Sequence, residues 1–193
     1  MTFTPPPASA AWSHSDARSG FEVAYFERLG NGLRIEGCTT AIELGETWIV
    51  EYRIALAPDW STRAARITSR TRSGQRSIKL ETDGTAHWLV NGAPAPHLDG
   101  CLDIDLESSA MTNAFPIHRL NLSVGANSPA PAAYIRATDL TVDRLEQHYE
   151  RIPDSDGHHR YEYAAPVFDF TGTLIYDASG LVVDYPGIAT RAV

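Results

Sequence analysis

The amino-acid sequence predicts an all-β fold: many short antiparallel strands in a curved sheet, half-barrel or barrel around an apolar core or cavity, with little helix. Three observations lead there. Apolar and polar residues alternate with period two in one segment after another. Asn-Gly and Asp-Gly pairs, which supply the positive φ of tight hairpins, separate those segments at intervals of roughly 10 residues. Helical periodicity is confined to short pieces.

The elements follow in order. Pro5-Pro6-Pro7 and the small residues around them read as a flexible or extended arm over residues 1–11, ahead of a single β domain over 12–193. Phe21, Val23 and Tyr25 alternate with Glu22 and Ala24; Leu33 and Ile35 alternate with Arg34 and Glu36. Trp48, Val50, Tyr52, Ile54 and Leu56 form one face of a long half-buried strand, with Glu51 and Arg53 on the other. Ile78 and Leu80 alternate with Lys79 and Glu81, Leu102, Ile104 and Leu106 with Asp103 and Asp105. Leu120, Leu122 and Val124 alternate with Asn121 and Ser123, and Leu181, Val183 and Tyr185 with Val182 and Asp184. Turns fall at Gly30-Asn31-Gly32, Asp83-Gly84, Asn91-Gly92, Asp99-Gly100, 177–180 and Pro186-Gly187. One turn of helix is expected at 108–113, strand over 139–149, and a mobile loop at 154–159. Each strand has one apolar face, so the sheet should wrap a core and be wet outside.

Composition narrows the function classes. The 193 residues suit one domain and are 43% hydrophobic and 21% charged, which excludes general disorder. No apolar run reaches the 18 or so residues of a membrane-spanning helix. A net charge of −8 argues against nucleic acid as a partner over the whole surface. Two cysteines, Cys38 and Cys101, are too few for a disulfide scaffold or a structural zinc site and read as reduced thiols, with one bridge left open. The first residues lack a secretory pattern, so the expected compartment is the cytoplasm.

Four groups of residues could carry chemistry. Arg63, Arg66, Arg70, Arg72 and Arg76 make a local positive field suited to an anionic group, or else a solvated strand face paired across strands with Asp99, Asp103 and Asp105. Those three carboxylates spread over about 20 Å of strand, too far for one ion, so no metal and no cofactor is expected. His87, Cys101, His118 and Arg119 sit in no recognisable catalytic motif; nucleophile-elbow, phosphate-loop and zinc-helix signatures are missing. The aromatic content, with Trp48, Trp60 and Trp88 prominent, suits a β core, and some of it can line a cavity.

Several strings occur together: residues 48–54 (Trp-Ile-Val-Glu-Tyr-Arg-Ile), 60–63, Asp83-Gly84 before His87-Trp88, 98–106 (Leu-Asp-Gly-Cys-Leu-Asp-Ile-Asp-Leu), 112–120, 147–149 and 180–191. In content and order they resemble the bacterial putative glycolipid-binding family, over nearly the whole chain. The resemblance implies a many-stranded antiparallel fold, similar to the curved sheets of bacterial lipoprotein carriers, and carries no catalytic residues. The sequence has Asn113-Ala114 and His118 where the family pattern leads one to expect Thr and Arg, which weakens any anion contact there above neutral pH.

The expected function is non-catalytic binding of an amphipathic small molecule, a glycolipid by resemblance, in the concavity of the sheet. The apolar faces (Trp48, Val50, Tyr52, Ile54, Trp88) would meet acyl chain. A polar cluster of Arg63, Asp103, Asp105, Asn113 and Arg119, with Trp60 and His118 beside it, would meet headgroup or else form a structural salt-bridge network. Two alternatives stand. One is an enzyme using Asp103, Asp105 and His118 as acid and base, which requires a perturbed carboxylate or His in a cleft. The other is a protein-interaction module, which requires a solid core and exposed apolar surface. The oligomeric state is left open. A cytoplasmic location fits poorly with a carrier of outer-membrane lipid.

Overall fold

The structure, a computed structural model, describes residues 3–192; Met1 and Thr2, at the start of the expected arm, and Val193 lie outside the described residues. Seventeen strands form among them. They are β1 (Ser9–His14), β2 (Ser19–Leu29), β3 (Gly32–Glu43), β4 (Glu46–Leu56), β5 (Thr62–Thr71), β6 (Gly74–Thr82), β7 (Trp88–Val90), β8 (Ala93–Pro94), β9 (Asp103–Leu106), β10 (Asn127–Pro129), β11 (Ala132–Ile135), β12 (Val142–Leu145), β13 (His148–Ser155), β14 (His158–Ala165), β15 (Phe170–Tyr176), β16 (Val182–Tyr185) and β17 (Ala189–Ala192). One helix, α1 (Ala114–Leu120), follows a 3-10 turn at Met111–Asn113. The fold is all-β, as the alternation predicts.

Fourteen strands make one antiparallel sheet in the order β10-β13-β14-β15-β16-β17-β1-β2-β3-β4-β5-β6-β7-β8, with β10 and β8 as its two edges. The sheet curves but does not close into a barrel. A second sheet, β12-β11-β9, contains the parallel pair β9–β11. After β8 the chain leaves the large sheet, crosses its concave side through β9 and α1, and rejoins it at β10.

That crossing segment fills the concavity. Leu98, Cys101, Ile104, Leu106, Met111 and Phe115 pack in one apolar core with Trp12, Ile35, Trp48, Val50, Tyr52, Ile54, Ile67, Leu80 and Trp88 of the sheet. Inward-facing polar groups fasten its backbone and that of the chain just after β11. Thr39 Oγ1 donates to Ser108 O at 2.7 Å, Ser69 Oγ to Ala137 O at 2.6 Å, and Trp88 Nε1 to Cys101 O at 2.9 Å. Each such buried bond contributes about 1 kcal/mol net, but leaving its partner unpaired costs more. A second core, under β13 to β16, is rich in tyrosine: Tyr149, Tyr161, Tyr163 and Tyr176 with Ile117, Leu145 and Leu174.

Several expectations are corrected. On β2, Glu22 and Ala24 face inward and are fully buried, while Phe21 and Tyr25 face out, 42% and 61% exposed. The inverted face follows from the partners of Glu22. Its carboxylate accepts from Tyr52 Oη at 2.6 Å, from Ser109 Oγ, and from the Ala110 amide at 2.9 Å. Tyr52 reaches it by lying across Gly37, where a Cβ would come within 2.3 Å of the ring. β9 is buried on both faces, because Ile104 and Leu106 enter the first core and Asp103 and Asp105 face hydrogen-bonding partners. The strand expected over Leu120–Val124 is the end of α1 and a loop. Pro116, in the first helical turn, needs no amide partner there, and Asn121, at φ 45°, ends the helix with its amide on Ile117 O. The loop expected at 154–159 is a two-residue hairpin on Asp156 and Gly157, with φ of 52° and 77°. The arginine run does not face the acidic stripe: β5 lies between β4 and β6, and Arg66 stands between Arg53 and Lys79, while Asp103 and Asp105 belong to the other sheet. Within the expected arm, Ser9 to Ala11 belong to β1, the Thr4 amide donates to Ala178 O at 2.9 Å, and Phe3 rests on His118. Cys38 and Cys101 are both free thiols.

Candidate ligand-binding site

The ten residues expected to meet a ligand fall into four places. Trp48, Tyr52 and Trp88 are 2–4% exposed and belong to the first core. The crossing segment packs over them in that core; Trp88 also borders the groove along β6–β8 and Trp48 the groove beside Phe21 and Arg70, each with only its buried edge. Trp60, His118 and Arg119 line a shallow surface groove with Phe3 and Pro6. There the His118 ring is stacked on Trp60 at 3.5 Å and its Nε2 meets Ser179 O at 2.9 Å; burial holds its pKa down to about 4, so it is neutral. Arg63 is exposed, its guanidinium against Gly84, and stands apart from the expected polar cluster.

Of the remaining three, Asp105 and Asn113 join one polar network through Gln147 and Tyr149, while Asp103 forms a separate pair with Arg119. Arg119 makes a two-pronged contact with Asp103, Nε to Oδ1 at 3.1 Å and Nη2 to Oδ2 at 2.5 Å. Burial raises the Asp103 pKa and Arg119 opposes it. Asp105 accepts from Thr112 Oγ1 at 2.8 Å and Gln147 Nε2 at 2.6 Å. Tyr149 Oη donates toward Asn113 Oδ1 at 2.9 Å and lies 3.2 Å from Gln147 Oε1. Burial nonetheless pushes the Asp105 carboxyl up to about 6. The acid–base trio of Asp103, Asp105 and His118 does not converge, because each is held by a different partner.

Asp105 is where this network reaches a cavity. A cleft of about 220 Å³ lies between β9, β11 and the β14–β16 end of the large sheet. Tyr134, Tyr163, Phe168, Phe170 and Tyr185 wall it, and Asp105, Glu107 and Arg18 supply its charge. The rings are arranged edge-to-face or tilted: Tyr163–Tyr185 at 5.8 Å, Phe170–Tyr185 at 5.6 Å and Tyr134–Phe168 at 5.3 Å. Mutual contact fixes their orientation without a ligand. Burial and the nearby Glu107 and Asp105 carboxylates raise the Tyr134 phenol's pKa, so it stays a neutral hydroxyl. Glu107 Oε2 accepts from the Ala137 amide at 2.7 Å, and Arg18 Nη1 donates to Glu107 O at 2.7 Å. The larger groove along β6–β8, about 600 Å³, is open; Trp88, Leu89 and Pro94 line it with Glu81, Asp83 and an exposed pair, His87 with Asp99 at 3.0 Å.

Four of the five cleft aromatics lie between residues 163 and 185, where alternation in the sequence predicts only the last strand. The alternation of Tyr161 and Tyr163 around Glu162 was the available signal.

Residues 9–191 match the family described as Putative glycolipid-binding. The chain belongs to that family. A crystal structure of a DUF1089 family protein from Pseudomonas aeruginosa is 32% identical, with a TM-score of 0.80, covering 100% of this chain and 97% of that one. A beta-barrel-like protein of domain of unknown function DUF1849 from Brucella abortus shares the fold at 11% identity and a TM-score of 0.53, covering 98% and 96% of the two chains. No curated protein matches the chain. Among the described residues no helix is long and apolar enough to cross a membrane, and no group of three His, Cys, Asp or Glu is placed to hold a metal ion.

Proposed function

We propose that this protein binds the sugar headgroup of an amphipathic glycolipid, without catalysis, in the aromatic cleft over Asp105. The observation that carries this reading is the combination of five ring walls and a carboxyl pair in one half-enclosed site. A sugar ring offers C–H groups to aromatic faces and hydroxyls to carboxylates and amides, which is the chemistry this lining supplies. The family description agrees with the ligand class. A volume of about 220 Å³ equals roughly seven waters at about 30 Å³ each, the scale of one sugar ring and too little for a pair of acyl chains. The chains therefore stay outside the protein, and the filled concavity need not open.

Isothermal titration with n-octyl β-D-glucoside below its micelle concentration tests this. Saturable one-to-one binding is expected, weakened about tenfold in Tyr185→Ala, as for loss of an aromatic anchor. Equal affinity in the two proteins, each shown folded by its melting temperature, would remove the cleft from the account.

A further inference from the structure

The two ends of the large sheet differ in chemistry. The antiparallel registers place the 15–18, 44–45, 72–73, 166–169 and 186–188 turns at one end and the 30–31, 57–61, 156–157 and 177–181 turns at the other. Turn tips at the second end are mostly polar, Asn31, Asp59, Asp156 and Asp177, with the half-buried Trp60 and the exposed Leu29 among them. Those at the first end carry Leu44, 100% exposed, Val167, 72% exposed, and Phe168, 44% exposed, beside the exposed carboxylates of Asp16, Glu46 and Asp169.

Leu44 is the most telling of these. It begins the two-residue turn between β3 and β4 at φ 50°, with Gly45 at φ 80°. Such turns favour Asn, Asp or Gly, and a left-handed leucine is strained. Neither burial nor local conformation explains a leucine there. Below it, on the convex face, an open groove of about 800 Å³ is lined by Phe21, Ile42, Ile49, Arg70 and Arg72, and by no acidic side chain. Phe21, Thr40, Ile49 and Arg70 form one cross-strand row. Among the described residues neither Arg70 nor Arg72 has a carboxylate within ion-pair distance, whereas Arg34 and Arg53 on the same sheet do. Arg70 donates to Gln75 Oε1 at 2.8 Å, so both guanidiniums keep a charge that no carboxylate offsets; beside apolar side chains, in a chain of net charge −8, they complement a partner that is both anionic and apolar.

We propose that this end of the sheet docks on an anionic phospholipid bilayer, with Leu44 entering beneath the headgroups and Arg70 and Arg72 at the phosphates. Single apolar tips beside cations suit a lipid interface. Phe168, Phe170 and Tyr185, which wall the aromatic cleft, lie at the same end, so a headgroup could reach it while its acyl chains remain in the bilayer. That last step rests on the headgroup reading; the docking itself does not.

Sedimentation with vesicles of two parts phosphatidylcholine to one part phosphatidylglycerol, containing no glycolipid, separates the two. Binding is expected at low salt, falling about tenfold in Leu44→Asp and in Arg70→Gln/Arg72→Gln, and falling again as salt screens the charges. Asn31→Asp, at the opposite end, should bind as the parent does. These side chains are exposed, so circular dichroism should show every variant folded. The proposal is overturned if the parent protein stays in the supernatant, or if Leu44→Asp binds vesicles unchanged. A Leu44-dependent dimer in ultracentrifugation without vesicle binding would overturn it too, and assign the patch to a second copy of the chain. Vesicle binding together with silence toward octyl glucoside would retain the docking and refute the headgroup reading.

Discussion

Replacing Asp105 by Asn gives a stability difference whose dependence on pH can be worked out from the structure. Asp105 is held up to about 6 by burial, against an ordinary 3.8. Below pH 4 the carboxyl is protonated in both folded and unfolded chains, and its contribution is complete. Between pH 4 and 6 the unfolded chain ionises while the folded one resists, so stability is lost as pH rises. At about 1.4 kcal/mol per pH unit, a window of about 2 units amounts to about 3 kcal/mol. The Asp105→Asn protein has no such loss. Its new amide keeps an oxygen for Thr112, and Gln147 can turn its own amide over to accept from the new NH2. Its stability minus that of the parent should therefore rise by about 3 kcal/mol from pH 3.5 to 6.5. His14 and His118, each held down to about 4 by burial, act in the opposite sense, since they gain stability with rising pH. They are common to both proteins and cancel in the difference. The assay is urea unfolding of both proteins at half-unit pH intervals, with m-values compared. A difference constant within about 0.5 kcal/mol over that range would refute the argument that Asp105 is buried and strained toward its neutral form.

Two other substitutions probe the scaffold. Gly37→Ala should cost about 2 kcal/mol in urea unfolding, because the added methyl must displace Tyr52 from its bond to Glu22. A neutral result would show that Tyr52 is not held there. Arg119→Ala should cost about 3 kcal/mol at pH 7 by leaving Asp103 buried and unpaired, and less as pH falls, since burial already raises the Asp103 pKa and favours its neutral form. A cost independent of pH would place the loss in packing instead.

Most of the architecture was legible locally. The period-two run from Trp48 to Leu56 is a strand with the predicted face inward, and Asn91-Gly92 closes a hairpin between β7 and β8. The failures share one cause: the deciding partner is distant in sequence. Nothing near Glu22 indicates that a carboxylate rather than Phe21 and Tyr25 faces the core. Its donors lie 30 residues away at Tyr52 and 87 and 88 away at Ser109 and Ala110. Asp103 and Asp105 looked like a solvated face for the same reason, since Arg119 and Gln147 are supplied by α1 and by the chain ahead of β13. The candidate site was half legible. Asp105 was anticipated because an acidic pair on an apolar strand stands out. The aromatic walls were not, because each of Tyr134, Tyr163 and Tyr185 alone reads as ordinary core.

The central claim is that the cleft over Asp105 holds a sugar headgroup. Native mass spectrometry of the protein purified from its own host, followed by solvent extraction of whatever travels with it, tests this most directly. The account predicts one stoichiometric glycolipid or related glycoside, lost from Tyr185→Ala prepared in the same way. A copurifying amphiphile retained unchanged by that variant, or one with no sugar, would contradict it.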